Sequence, residues 1–216
     1  MTRGAFLSFD GLDGTGKSTQ CRLLVEWLRS SGKTVTTCVE PGGTELGQKI
    51  RDLLLFGKQN LMGTRAEMLL FMASRAELVE RVIMPALDRG EIVVADRFLL
   101  ASVVYQGHAG GLSIRDLWDV GRVATQGVEP DLTLIFDLPA DLAAKRRGRA
   151  ADRMESKGSE YFERVRQGFL REAAADPVRR VLIDAMPDVI TTHETVRTIV
   201  SKFLNARGDS LSGSAP

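Results

Sequence analysis

The sequence has few of the features that mark exported, membrane-bound or nucleic-acid-binding proteins. Its two cysteines, Cys21 and Cys38, are too few for a disulfide framework and favour a reducing compartment. Lys and Arg number 29 against 28 Asp and Glu, so no excess charge directs the chain to nucleic acid or to a membrane. No apolar run is long enough to span a bilayer, and the residues before the first apolar stretch are too few for a signal peptide. We therefore expect a cytoplasmic protein that binds neither nucleic acid nor membrane.

The pattern of apolar residues predicts one α/β domain. A chain of 216 residues with 44% hydrophobic residues suits one globular fold. Short apolar runs alternate with longer helical patterns, which favours a five-stranded parallel sheet with helices on both faces. The predicted strands are Ala5–Asp10, Thr34–Glu40, Ile92–Asp96, Leu132–Asp137 and Val181–Asp184. The predicted helices are Lys17–Ser30, Glu45–Phe56, Arg65–Arg89, Ser113–Gln126, Ala140–Arg147, Glu160–Ala174 and His193–Asn205. We expect the domain to span residues 1–205 and residues 206–216 to form a flexible tail.

A phosphate-binding loop follows the first predicted strand. Residues 11–18 read GLDGTGKS and match G-x-x-x-x-G-K-[ST], a match with chance odds on the order of one in a hundred. The glycines allow backbone N–H groups to face phosphates at a helix N-terminus, Lys17 reaches the outer phosphates, and the Ser18 hydroxyl can bind Mg²⁺. A plain glycine turn is the alternative. The predicted ATP site comprises Gly11, Leu12, Asp13, Gly14, Thr15, Gly16, Lys17, Ser18 and Thr19.

The pair Asp96-Arg97 ends a predicted strand. Asp96 can hold Mg²⁺ through water, and Arg97 would then point into a cleft where two phosphates meet. Such a pair is weak evidence alone, because a surface ion pair looks the same. A regulatory GTPase should carry an Asn-Lys-x-Asp motif and a transport ATPase an LSGGQ-like motif, and the sequence contains neither.

Several stretches together resemble the thymidylate kinase family over nearly the whole chain. They are FDGLDGTGKST at 9–19, EPGGTELGQKIRDLLL at 40–55, AEMLLFMASR at 66–75, DRF at 96–98, YQG at 105–107, PDLTLIFDLP at 130–139 and DRMES at 152–156. The resemblance implies a P-loop nucleoside-monophosphate-kinase fold, a homodimer, and the Mg²⁺-dependent reaction ATP + dTMP → ADP + dTDP. A kinase of another small acceptor is the first alternative, and a non-catalytic nucleotide-binding regulator is the second.

The resemblance also assigns an acceptor site. Phe71 and Arg75 lie four residues apart on one helix face, so the ring can stack on a base while the guanidinium donates to a carbonyl such as thymine O4. Spacing alone would make Phe71 a core residue, and the resemblance reverses that interpretation. It places Asp13 on the sugar 3′-hydroxyl and Arg51 on the acceptor phosphate. The predicted dTMP site comprises Asp13, Glu40, Arg51, Phe71, Arg75, Arg97, Ser102, Tyr105 and Gln106.

A basic stretch, KRRGRAADRMESKG at 145–158, has the composition of a closing lid. A solvated loop or a nucleic-acid patch is the alternative. Some thymidylate kinases carry an arginine in the phosphate loop and others in the lid. Gly14 and Thr15 occupy the variable loop positions here, so the resemblance points to lid arginines, with Arg149 and Arg153 as candidates. The predicted catalytic residues are Lys17, Arg97, Arg149 and Arg153.

Some positions depart from the family's usual residues. Val39 stands where an arginine commonly precedes Glu-Pro-Gly-Gly-Thr, and Leu99 and Ala101 replace polar residues. The segment GHAGG at 107–111 lacks an arginine that is often found there. We expect these departures to affect base discrimination and to leave the phosphate chemistry unchanged.

Overall fold

A parallel sheet forms the centre of the computed structural model, which describes residues 3–56, 62–147 and 158–209. The strands in these ranges are β1 (Phe6–Gly11), β2 (Val35–Val39), β3 (Ile92–Asp96), β4 (Leu132–Asp137) and β5 (Arg180–Asp184). They form a five-stranded sheet in the order β2-β3-β1-β4-β5, and each neighbouring pair is parallel. The predicted sheet is confirmed, and each strand lies within one or two residues of its predicted bounds.

Helices connect these strands. Those in the described ranges are α1 (Lys17–Ser30), α2 (Glu45–Phe56), α3 (Thr64–Leu78), α4 (Met84–Asp88), α5 (Leu99–Ser102), α6 (Ile114–Thr125), α7 (Ala140–Arg147), α8 (Ser159–Ala175) and α9 (Val189–Ala206). One long helix was predicted from Arg65 to Arg89. The structure continues α3 into α4 through a π-helical turn, Val79–Ile83, shortly before Pro85. Proline cannot fit a regular helix interior without a clash, and a wider turn accommodates it.

Both faces of the sheet are covered by apolar packing. Along β1, Leu7 and Phe9 belong to one buried cluster, with α1, α8 and α9, whereas Phe6 belongs to a second, with α3, α4 and α6. Successive side chains of a strand point to opposite faces, so these two clusters lie on opposite sides of the sheet. This arrangement confirms the predicted helical layers and explains why β1, β3 and β4 are nearly uniform apolar runs.

The segment from Leu99 to His108 is a helical element that the sequence pattern did not reveal. Its α5 turn continues into a π-helical turn, Val103–His108, and almost every side chain in it is buried. Because both sides of the element are packed, it lacks the polar face that makes a helix recognisable. The Tyr105 carbonyl lies in this π-helical turn. It accepts a hydrogen bond from the Tyr161 hydroxyl of α8 at 2.8 Å.

The last helix begins four residues before its predicted start. Asp188 caps it, since its carboxylate accepts from the backbone N–H groups of Ile190 and Thr191. At its other end, α9 reaches Ala206, and the Arg207 guanidinium lies 3.2 Å from the Asp131 carboxylate. Residues 210–216 of the predicted tail lie outside the described residues. Among the helices of the described ranges, none is long and apolar enough to cross a membrane.

We expect Tyr161→Phe to lower the free energy of unfolding by about 1 kcal/mol, because it removes one buried hydrogen bond. Urea unfolding with an unchanged m value would measure this loss. Thr125→Val is the matched control, since the Thr125 hydroxyl is buried and has no hydrogen-bond partner within the described ranges. Equal stability of Tyr161→Phe and the unaltered protein would show that the Tyr105 carbonyl does not depend on this hydroxyl.

Candidate active site

The carboxyl ends of β1 and β3 bring the phosphate loop next to the Asp96-Arg97 pair. Phe9 lies opposite Asp96, and the Arg97 N–H donates to the Phe9 carbonyl at 2.9 Å. A cleft of about 640 Å³ opens at this edge of the sheet. The predicted residues that line it are Asp13, Gly14, Gly16, Lys17, Ser18, Thr19, Glu40, Arg51, Phe71, Arg75, Asp96, Arg97, Ser102, Tyr105 and Gln106. The structure therefore brings all nine predicted acceptor-site residues to one cleft. Gly11, Leu12 and Thr15 lie beneath this surface and shape the loop.

The phosphate loop is held by its own side chains. Gly16 ends it with a φ of 89°, in the left-handed region, directly before Lys17 begins α1. The Thr15 hydroxyl donates to the Leu12 carbonyl at 2.8 Å, and the Lys17 Nζ donates to the same carbonyl at 2.6 Å. Burial, with the nearby Arg97 charge, lowers the pKa of Lys17 to about 8. The ammonium group is thus placed inside the loop, where a phosphate would meet it.

Gly14 leaves room for α7 to touch the loop. Its φ is 92°, and a Cβ at this position would lie 2.0 Å from the Ala143 carbonyl oxygen of α7. No side chain fits there while α7 keeps its place. This contact explains in physical terms why an arginine cannot occupy this loop position in this chain.

Ser18 and Asp96 form an oxygen-rich pair at the rim of the loop. The Ser18 hydroxyl donates to the Asp96 carboxylate at 2.6 Å, across the gap between α1 and β3. A hydroxyl and a carboxylate are hard ligands of the kind that Mg²⁺ prefers, and one or two such ligands leave positions for phosphate and water. The predicted metal residues therefore lie together and fit the ion.

Arg97 projects from a strained backbone into the centre of the cleft. Its φ is 75°, which is uncommon for a residue with a side chain. The guanidinium donates to Asp13 at 2.9 Å and to the Tyr105 hydroxyl at 3.3 Å, and it stacks over the Tyr105 ring at 5.1 Å. Burial acts to raise the pKa of Asp13, but the Arg97 and Lys17 charges outweigh it and hold that pKa well below its ordinary value. Asp13 is therefore ionised.

Arg75 occupies the deep end of the cleft and is only 1% exposed. Its guanidinium pairs with Glu40 and donates to the Ser102 hydroxyl at 2.9 Å. Burial raises the pKa of Glu40, and the Arg75 charge opposes this effect. Phe71, one turn away on α3, is half-buried and lines the same cleft, whereas its spacing alone predicted a core residue. A buried ion pair gains little stability over apolar packing, so its presence here favours a role in recognition.

Arg51 lines the cleft from α2. Its guanidinium donates to the Pro41 carbonyl at 2.7 Å, in a segment whose Glu40–Pro41 peptide is cis. Arg51 and Arg97 both line the space between the phosphate loop and the deep end of the cleft. Two cations and a loop lysine around one space form a site for clustered phosphates.

Comparisons with known proteins agree with this geometry. The sequence profile of the thymidylate kinase family matches residues 9–196. The chain belongs to the thymidylate kinase family. Thymidylate kinase from Caldanaerobacter subterraneus subsp. tengcongensis is 44% identical over 203 residues, which are 94% of this chain and 97% of that protein. The Pseudomonas fluorescens thymidylate kinase is 41% identical over 209 residues, 95% of this chain and 99% of the other.

A solved structure gives the same result for the fold. The crystal structure of thymidylate kinase from Ehrlichia chaffeensis has a TM-score of 0.75 and 31% identity, over 92% of this chain and 98% of the other. The resemblance found in the sequence motifs is thus confirmed, as is the expected P-loop nucleoside-monophosphate-kinase fold. This thymidylate kinase family member is accordingly a nucleoside monophosphate kinase, as predicted.

The predicted lid arginines, Arg149 and Arg153, lie outside the described residues. The stretch that leads to them does reach the cleft, because Arg146 and Arg147 line it. Arg146 donates to the Ala185 carbonyl at 2.7 Å, and Arg147 stacks over the Phe162 ring at 5.5 Å. In the sequence these two arginines are distinguished only as part of the basic stretch 145–158.

The departures from the family's usual residues fall in different places. Val39 and Ala101 line the cleft, which agrees with an effect on the bound base. Leu99, by contrast, is 3% exposed and belongs to the apolar core. Its side chain fills the space that a Cβ at Gly121 would need. A change at Leu99 therefore bears on packing between α5 and α6. In the segment 107–111, His108 lies 2.8 Å from the Glu172 carboxylate of α8.

Two buried carboxylates were missed by sequence reasoning. Asp10 is the penultimate residue of β1 and is 0% exposed, and neither of its oxygens has a hydrogen-bond partner in the described part of the chain. Burial raises its pKa to about 7, with Arg97 and Lys17 opposing the shift. Glu67, on α3, is 1% exposed and accepts a hydrogen bond from Gln106. An acidic residue within an apolar strand was the available signal for Asp10, while Glu67 had none beyond its place in a family motif.

Asp10 makes stability depend on pH. Its folded-state pKa of about 7 lies above the ordinary aspartate value of 3.8, so between these values the folded protein holds a proton that the unfolded chain releases. Stability therefore falls as pH rises from about 4 to 7 and changes no further above that range. We expect Asp10→Asn, which has no such proton, to gain stability over the unaltered protein by a few kcal/mol between pH 5 and 8, at about 1.4 kcal/mol per pKa unit.

Chemical denaturation of the nucleotide-free protein at a series of pH values would measure this difference. Asp137→Asn is the control, since Asp137 ends the neighbouring strand β4 but is partly exposed and pairs with Arg166 at 2.7 Å. A difference between Asp10→Asn and the unaltered protein that stays constant with pH would show that Asp10 is ionised throughout.

Proposed function

We propose that this thymidylate kinase family member transfers the γ-phosphoryl group of ATP to dTMP, giving dTDP and ADP, with Mg²⁺ as its metal. One observation carries the proposal. A single cleft joins a complete phosphate loop to a deep end that holds a buried guanidinium beside a half-buried phenyl ring. A planar base with a carbonyl on its edge fits both groups at once. The Phe71 ring can stack on the face of the base, and Arg75 can donate hydrogen bonds to the carbonyl.

The ATP side of the cleft follows from the loop. Backbone N–H groups of residues 11–19 receive the phosphates at the start of α1, where the helix dipole favours anions. Lys17 leaves the Leu12 carbonyl and binds the outer phosphates. Ser18 and Asp96 would hold Mg²⁺, since they lie together at the rim of the loop. The ion, when bound, neutralises charge on the phosphate oxygens during transfer.

The acceptor side uses groups that currently bind one another. Arg97 and Arg51 take the acceptor phosphate, and Asp13 accepts from the sugar 3′-hydroxyl. Phe71 stacks on the base, and Arg75, held by Glu40, donates to its carbonyl. Ser102, Tyr105 and Gln106 border the base and sugar from the segment that begins at Leu99.

Transfer to a phosphate needs positioning and positive charge more than proton removal. The acceptor phosphate is already anionic near neutral pH, so no general base is required. Lys17 and Arg97 both line the cleft beside Asp13, 3.5 Å and 2.9 Å from its carboxylate, and supply that charge. Lid arginines, Arg149 and Arg153, complete the charge around the transferred group, and α7 brings the basic stretch to the edge of that space.

We also propose that the protein is a cytoplasmic homodimer made of one domain, residues 1–205, and a short tail. Support for the dimer comes from exposed apolar side chains on two adjacent helices, α2 and α3. These are Leu46, Leu53, Phe56 and Leu69, each at least 39% exposed. A cluster of this kind is typical of a protein–protein contact.

Coupled ADP release with ATP and each common nucleoside monophosphate would test the activity. We expect kcat/KM for dTMP to exceed that for dCMP, dGMP and dAMP by at least about 100-fold, since a site built to hydrogen-bond one base rejects others strongly. Removal of Mg²⁺ with a chelator should abolish turnover. Preference for a purine monophosphate would contradict the proposal and leave a kinase of another acceptor.

The lid proposal predicts that the double variant Arg149→Ala/Arg153→Ala transfers phosphate more slowly without losing ATP affinity. A cation supplied on closure helps the transition state more than the resting complex, and such an arginine contributes up to about 10³–10⁵-fold in other phosphoryl-transfer enzymes. Single-turnover kinetics would measure the rate and an ATP titration the affinity.

Lys145→Ala is the matched control for charge in the basic stretch, since this exposed lysine is 3.8 Å from Asp141 on the outer face of α7. A double variant that transfers phosphate at the unaltered rate would make the stretch a solvated loop and leave Arg97 as the main cation.

A further inference from the structure

A buried hydrogen-bonded pair lies behind the wall of the acceptor site. The Gln106 side-chain nitrogen Nε2 donates to the Glu67 carboxylate at 2.9 Å, and both residues are 1% exposed. Gln106 lines the cleft, whereas Glu67 does not. Glu67 thus lies one layer behind the cleft surface, and Gln106 stands between it and the cleft.

The chemistry of the pair determines how the Gln106 amide is oriented. A carboxylate has acceptors only, so it pairs with the NH₂ end of an amide and repels the carbonyl end. The two ends of an amide point in opposite directions. With Nε2 held by Glu67, the carbonyl oxygen Oε1 is the end that remains for the cleft.

The neighbouring wall supplies the opposite kind of group. Arg75 has only donors, and it binds the Ser102 hydroxyl one turn before Gln106 on the same helical segment. Groups one turn apart on a helix lie about 5–6 Å from each other. The wall therefore presents donors beside an acceptor to the edge of the base.

We propose that Glu67 is a specificity-determining positioning residue, because it keeps the Gln106 carbonyl turned to the ligand. This inference rests on the proposed function and extends it to the choice between pyrimidines. A base with a carbonyl next to an N–H, as in thymine and uracil, complements the wall. Cytosine carries an amino group and an unprotonated ring nitrogen at these positions. Its amino group would face the Arg75 donors, and its ring nitrogen would face the Gln106 carbonyl, so neither could form a hydrogen bond.

The variant Glu67→Gln tests the orientation without removing the contact. An amide is nearly the size of the carboxylate and still accepts from Gln106, but it also donates equally well. Two facing amides can exchange roles by rotating together, so Gln106 loses its preferred orientation. We expect the dissociation constant of dCMP, divided by that of dTMP, to fall at least about tenfold in this variant. The mismatch of polar groups is what excludes dCMP, and a Gln106 amide that can rotate removes it.

Competition binding of dTMP and dCMP to the folded protein would measure that ratio without depending on turnover. The control Glu77→Gln makes the same chemical change on the same helix, at a residue that lies 3.5 Å from exposed Arg81. It should leave the ratio unchanged. An unchanged ratio in folded Glu67→Gln would overturn the proposal and make the pair purely structural.

A double-mutant cycle with Gln106→Leu separates direct from indirect effects. In the Gln106→Leu background, Glu67→Gln should no longer change the ratio. An effect that persists there would also overturn the proposal, since Glu67 would then act by another route. Failure of the proposed function is recognised separately, because the unaltered protein would then not prefer dTMP in the first place.

A measurement on the unaltered protein covers the case in which Glu67→Gln does not fold. With ¹⁵N-labelled glutamine, the Gln106 side-chain NH₂ signal is identified by its absence in Gln106→Leu. Protons of a buried NH₂ that donates to a carboxylate should exchange slowly with solvent. Exchange as fast as that of exposed Gln48 would overturn the proposal.

Discussion

The parallel pairing of β1 with β3 determines where the phosphate loop meets Asp96 and Arg97. Because Phe9 stands opposite Asp96, the loop after β1 and the residues after β3 leave the sheet at the same edge and the same height. The left-handed backbone of Arg97 then turns its side chain back towards the loop. A shift of one residue in this register would exchange the faces of the strand and separate Arg97 from Asp13. The site is therefore a consequence of sheet register as much as of its side chains.

The charges of the cleft are paired internally in a way that substrates must undo. Asp13 holds Arg97 at 2.9 Å and lies 3.5 Å from Lys17, while Lys17 also donates to the Leu12 carbonyl. These contacts place one carboxylate beside a buried and a partly buried cation, which limits the cost of burying them. Entering phosphates take over the cations, and under the proposed function the sugar hydroxyl then donates to Asp13. Exchange of partners lets Arg97, Lys17 and Asp13 each keep a partner in both states.

Sequence reasoning succeeded where a local pattern carries the chemistry. The loop motif, the Asp96-Arg97 pair at a strand end, and the Phe71–Arg75 spacing each depend on residues close in the chain, and all of these lie in one cleft. It failed for Asp10 and for the Leu99–His108 element, because burial on all sides removes the polar periodicity from which elements and sites are recognised. Glu67 acts across 39 residues through one hydrogen bond, and no spacing within a single helix predicts such a contact. The contribution of Leu99 was likewise assigned to the cleft from its position beside Asp-Arg, whereas packing against Gly121 places it in the core.

The contact between Gly14 and α7 links two features that the sequence presents separately. A side chain at position 14 would occupy the space of the Ala143 carbonyl, so the loop can carry an arginine only if α7 moves away. Keeping glycine instead lets the end of α7 rest against the loop and brings Arg146 and Arg147 to the cleft wall. The helix that excludes a loop arginine thus delivers the basic stretch to the place where that charge is needed. A loop arginine and α7 in its present place exclude each other sterically, so under the proposed function glycine at position 14 leaves this charge to the lid.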